Sequence, residues 1–170
     1  SATQARRSDP MPSNTSPKTV LLKGDPSYIE YAAAAAITPG HMCYLTSAGK
    51  LAVHNVAGGT GVLPSAKIFA LENELVGKGI DDAYATNDQV IAANCKPGDE
   101  VYAWLKNGVT TAIGSGLESD GAGALQLSTH AVTSATTAAA TPVAVALEVV
   151  NNSGGGTGPG SAMRVKVRIL

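Results

Sequence analysis

Met163-Arg164-Val165-Lys166-Val167-Arg168-Ile169-Leu170 places Val165, Val167 and Ile169 on one side of an extended chain and Arg164, Lys166 and Arg168 on the other. Successive side chains of a β-strand point to opposite faces, whereas a helix needs its apolar residues three or four apart. The stretch therefore reads as a strand with one face buried and one face wet. Working upstream, the same texture recurs as short apolar runs cut by turn residues, the pattern of a many-stranded β domain.

Residues 143–150 form the longest apolar run and predict a buried strand, joined to the last one by the glycine-rich stretch 151–161. Residues 89–93 and 100–105 predict two strands around Lys96-Pro97-Gly98-Asp99, a strong turn signal. Residues 41–46 and 50–53 predict a hairpin around Ser47-Ala48-Gly49. Further strands are predicted at 19–23, 28–31, 67–72, 109–113 and 124–127, with loops at 58–61 and 73–83. The alanine stretch 32–36 favours helix by propensity, but it is too short to stand alone and stops at Thr38-Pro39-Gly40, so it reads as extended or ambiguous.

Residues 1–17 differ in kind. They hold Pro10, Pro12 and Pro17, the pair Arg6-Arg7, several Ser, Thr and Asn, and almost nothing apolar. Such a segment buries too little to order itself, which predicts an extended N-terminal arm over 1–17 and one β-rich domain over 18–170. The whole chain has 44% hydrophobic residues but one Trp, one Phe and five Tyr, so the core of that domain is made of small side chains. Small residues bury little area each, and burial between subunits of a homo-oligomer is the natural supplement.

The net charge of -1 gives no reason to expect nucleic acid or a membrane surface as partner. Charge is nevertheless polarised: nine acids and three lysines lie between Glu72 and Asp120, while Arg164, Lys166 and Arg168 close the chain without an acid. Two cysteines, Cys43 and Cys95, make no disulfide framework, and no leader-like pattern opens the sequence, so assembly in a reducing cytoplasm is expected.

A search for chemistry finds no constellation. His41, His54 and His130 fall in different predicted elements; His41 and Cys43 share a strand face, but no further zinc ligands follow at a recognisable spacing. Cys95 has no adjacent base to activate it. The sequence has no Gly-x-Ser-x-Gly elbow, no phosphate-binding Gly-Lys-Ser/Thr loop and no dinucleotide turn. The carboxylate pairs Glu72/Glu74, Asp81/Asp82 and Glu118/Asp120 lie close together in turns, without the aromatic platforms of a sugar cleft. No enzyme, cofactor or metal is therefore expected.

Leu71-Glu72-Asn73-Glu74-Leu75-Val76-Gly77-Lys78-Gly79-Ile80-Asp81-Asp82-Ala83-Tyr84, followed by Lys96-Pro97-Gly98-Asp99-Glu100-Val101-Tyr102-Ala103-Trp104-Leu105, resembles the head decoration, or capsid cement, proteins of tailed bacteriophages. The resemblance runs on through Ile113-Gly114-Ser115-Gly116-Leu117-Glu118-Ser119-Asp120-Gly121 and Val145-Ala146-Leu147-Glu148-Val149-Val150 to the basic terminal strand. It implies a mainly β fold, a small β-barrel- or β-tulip-like domain. It also implies a place on the outer surface of the virion, bridging subunits of the major capsid protein, often as a homotrimer. In several such families an N-terminal arm reaches along the capsid and adds a strand or a clasp. That makes Arg6, Arg7, Pro10, Pro12 and Pro17 candidates for capsid binding, and Arg164, Lys166 and Arg168 candidates for a subunit or capsid interface. A receptor- or glycan-binding surface module is the alternative, suggested by the Gly/Ser/Thr-rich loops.

Overall fold

A computed structural model describes residues 16–58, 67–128, 142–154 and 163–170. In chain order the strands are Leu21–Lys23 (β1), Ser27–Ala32 (β2), Met42–Leu45 (β3), Leu51–Val53 (β4), Ile68–Ala70 (β5), Gln89–Asn94 (β6) and Glu100–Leu105 (β7). Thr110–Thr111 (β8), Gly116–Ser119 (β9), Leu125–Leu127 (β10), Ala144–Ala146 (β11), Val150–Asn151 (β12) and Met163–Ile169 (β13) follow. The one helical element among the described residues is a 3-10 turn at Glu74–Val76. The mainly β reading holds.

The terminal strand is the keystone of a closed five-stranded barrel. β13 pairs with β7 over six residues, from Met163 opposite Leu105 to Arg168 opposite Glu100, and with β11 on its other side. The ring continues from β11 through β9 and β10 and returns to β7 at Leu125 opposite Leu105, while β1 lies along the first half of β7. Val165, Val167 and Ile169 face inward with Val101, Ala103, Leu105, Leu117, Leu125, Ala144 and Ala146, all fully buried. A barrel of five strands has a narrow interior, so Ala, Val and Leu fill it and larger rings would not fit. The shortage of aromatics thus has a structural reason.

A second, five-stranded antiparallel sheet, ordered β2-β6-β5-β3-β4, packs against the barrel. Its residues alternate between two cores. Met42, Phe69 and Ala93 join the barrel cluster, while Cys43, Ile68, Ala70, Val90 and Ala92 form a second cluster with Ala33, Ile37, Leu51 and Tyr84. A sheet covered on both faces needs no polar residue at every second position, hence the unbroken run Ile68-Phe69-Ala70-Leu71. The two clusters share this sheet, so the described residues form one packed unit.

The alanine stretch and the run 143–150 depart from expectation. The alanine stretch stays extended only as far as Ala33, which is fully buried and bridges Leu51; Ala34 N–H then donates to Leu51 O at 2.8 Å and the chain bends away. The run 143–150 is not one strand. Its first part is β11, Glu148 turns aside to receive β13, and its end pairs with β8 as β12. The turn at 96–99 forms as expected and locks onto the turn at Gly24: Asp99 Oδ2 accepts from Lys96 N–H at 2.8 Å and Oδ1 from Asp25 N–H at 3.2 Å.

Candidate functional site

The basic face of β13 is built of three cations, each given a partner within the chain. Arg164 is nine-tenths buried. Its guanidinium lies 3.8 Å over the Trp104 ring, donates to Pro39 O at 3.1 Å and to Ile80 O, and pairs with Asp81 Oδ1 at 2.7 Å. Trp104 Nε1 donates to the same Pro39 carbonyl at 2.9 Å. The arginine therefore pins three segments together: the strand it stands on, the turn at Pro39-Gly40 and the loop ending at Asp82. Gly40 admits this approach because it holds φ +92° and a Cβ there would sit 3.0 Å from Tyr102 O.

Lys166 pairs with Glu148 at 3.4 Å, and its backbone N–H donates to the same carboxylate at 2.9 Å. Arg168 pairs with Glu100 at 2.9 Å and is half exposed. Two of the three terminal cations, Arg164 and Arg168, thus meet acids of the middle of the chain inside one molecule. Because β13 is paired on both sides, it offers a partner only side chains, chiefly Arg168 and Met163.

His41 and His54 serve packing. His41 stacks 5.9 Å from Trp104 and its Nδ1 accepts from Thr38 N–H at 3.2 Å. Burial first, and the Arg164 charge second, lower its pKa to about 4, so it is neutral at pH 7. His54 Nδ1 lies 2.8 Å from Ser119 Oγ, with both residues buried and Gly121 N–H donating to the same hydroxyl at 3.2 Å. A Ser–His contact of this length has the spacing of a nucleophile and its base, but a buried hydroxyl gives a substrate no approach. His130 lies outside the described residues.

Cys43 and Cys95 are free and buried, and burial pushes both thiols up to about 12. The carboxylate pairs split into separate structural tasks. Glu72 accepts from Val20 N–H at 3.0 Å, Asp82 from Gly79 N–H at 2.7 Å, and Asp120 from Ala122 and Ala124 N–H at 2.7 and 3.0 Å. Glu118 is buried beside Gln126 and Ser128, both within 3.3 Å of its oxygens. Among the described residues no three His, Cys, Asp or Glu side chains converge as a metal ion would need, and no helix is long and apolar enough to cross a membrane.

Exposed apolar residues are what the sequence reading missed. Leu75 is 92% and Val76 65% exposed on the 3-10 turn, and Tyr28 is 61% exposed on β2. Ile113 and Val149 also stand exposed, each beside one strand of the β8–β12 pair. The available signal was Leu75-Val76 between Glu74 and Gly77: two large apolar residues in a turn that has no strand pattern to bury them. Of the arm candidates, Arg6, Arg7, Pro10 and Pro12 lie outside the described residues. Pro17 is partly buried just before Val20, where the chain enters the core.

No protein-family model matches the chain, and no curated protein matches it.

Proposed function

We propose that this chain is a structural protein of a tailed-bacteriophage particle, binding the outside of the head as a homotrimer and stabilising the shell by bridging major capsid protein subunits. The observation that carries the reading is the turn bearing Leu75 and Val76. Both residues face water, yet the loop around them is fixed: Gly77 caps the turn in the left-handed region, Asp82 closes the next turn onto Gly79, and Arg164 holds Ile80 and Asp81. Apolar side chains presented on a rigid loop lose little freedom when a partner covers them, which favours a protein–protein contact. This loop is also the first of the strings that resemble the decoration proteins.

The mechanism needs no turnover. A protein that binds the assembled shell and not its separated subunits stabilises the shell by mass action, and many identical sites multiply a modest affinity. Residues 1–17, with Arg6 and Arg7, supply a second grip in this proposal.

The test is occupancy on purified heads. Leu75→Asp with Val76→Asp lowers bound copies at a fixed protein concentration by roughly tenfold or more, while the melting temperature of the free protein stays within about 2 °C, because both residues are already exposed. Deleting residues 1–17 also lowers occupancy. Full occupancy by both variants overturns the reading, and saccharide binding in its place favours a glycan-binding module.

A further inference from the structure

β2 pairs with β6 through six residues, from Ser27 opposite Asn94 to Ala32 opposite Gln89, without a bulge. On its other side β4 closes at Leu51, which bridges Ala33, and ahead of that point the edge is unpaired among the described strands. Ala33 N–H donates to Asp88 O on the β6 side, and Ala34 N–H to Leu51 O on the opposite side. Backbone groups alternate in direction along a strand, so Tyr28 and Glu30 aim their N–H and C=O groups at the side away from β6, ahead of the point where Leu51 of β4 closes on Ala33 and Ala34. Edge strands are usually blunted by proline, lysine or a bulge. Ser27-Tyr28-Ile29-Glu30-Tyr31-Ala32 has none of these.

Tyr28 also borders a shallow cleft of about 390 Å³ floored by Leu71 and Ile91, with Leu21 and Leu75 at its rims. Glu72 and Glu74 line the same cleft, and Glu30 stands on the same face of the sheet, opposite Ile91. None of the three acids forms an ion pair with a described cation. We propose that the unpaired edge of β2 takes up an extended segment of a partner polypeptide carrying basic side chains, its backbone continuing the sheet at Tyr28 and Glu30 and its cations facing Glu30, Glu72 and Glu74. A second copy meeting this edge would set these acids against their own counterparts, which disfavours a symmetric dimer here. The inference does not rest on the capsid reading.

The experiment uses the full chain, isotope-labelled, titrated with capped peptides of alternating Val and Arg, of alternating Val and Glu, and of Val and Arg with every second backbone amide methylated. The Val/Arg peptide slows amide exchange at Tyr28 and Glu30, and Glu30→Gln with Glu74→Gln weakens it by roughly tenfold. The methylated and acidic peptides leave those amides unchanged. Equal binding of the methylated peptide, no effect of the Val/Arg peptide at millimolar concentration, or self-association that protects the same amides overturns the proposal. Absence of the chain from phage heads leaves this result untouched, so the two readings fail separately.

Discussion

Replacing Arg164 tests the joint that positions the exposed loop. In Arg164→Ala the stacking on Trp104 at 3.8 Å goes, a contact worth about 2 kcal/mol when desolvated. Two charge-assisted hydrogen bonds to Pro39 and Ile80 carbonyls go with it, about 1.5 kcal/mol each. The ion pair adds less than about 1 kcal/mol, because Asp81 is 81% exposed. Against these stands the buried Nε, which has no acceptor and whose desolvation offsets roughly 1 kcal/mol. Water entering the vacated space recovers a further part, so the net loss is about 3 kcal/mol. For a chain of 170 residues that lowers the melting temperature by about 6–12 °C. Arg164→Lys keeps the charge but not the planar fork, and loses about half as much. Asp81→Ala loses under about 1 kcal/mol. Trp104 is the single tryptophan, so its emission reports the same site during denaturant unfolding. A melting temperature for Arg164→Ala within about 2 °C of the parent, or equal losses for Asp81→Ala and Arg164→Ala, would refute the account.

Gly24 holds φ +120° with a Cβ position 2.0 Å from Asp99 Oδ1, so Gly24→Ala destabilises by about 2 kcal/mol or more, and less in an Asp99→Ala background; additive losses in a thermal cycle would contradict the contact. His41 has a folded pKa of about 4, below its unfolded value of 6.5, so the unfolded state binds more protons between the two. Its stabilisation is full above about pH 6.5 and is lost as pH falls toward 4, and His41→Asn, which keeps an acceptor for Thr38 N–H, shows a shallower fall than the parent in denaturation at pH 7 and pH 4.5. Cys43 and Cys95 are buried thiols, so a disulfide thiol reagent at pH 8 labels neither within minutes in the native protein and both on unfolding; prompt native labelling would show that the sheet opens readily.

What could be read from the letters depended on which faces of a strand are wet. β13 shows its nature because Arg164, Lys166 and Arg168 alternate with a buried row, and the hairpin of β3 and β4 and the turn at Pro97-Gly98 are marked by local turn chemistry. β9 was hidden for the opposite reason. Glu118 and Ser119 look like solvated turn residues, but both are buried: Gln126 and Ser128 across the β9–β10 hairpin satisfy Glu118, and His54, distant in sequence, satisfies Ser119. The second sheet carries no alternation to announce which of its faces meets the barrel. The division of 143–150 between β11 and β12 is set by Glu148 turning to Lys166, a long-range pairing with no local sign. The basic strand was legible as a strand, whereas the burial of Arg164 under Trp104 required the closed ring.

The most direct measurement is image reconstruction of intact phage particles purified from cells that make this chain. The account predicts density for the β-barrel at regular sites on the outer surface of the head, in stoichiometric copies, with the Leu75-Val76 turn against the major capsid protein. Particles whose heads lack the chain, while it accumulates free in the same lysate, would contradict it.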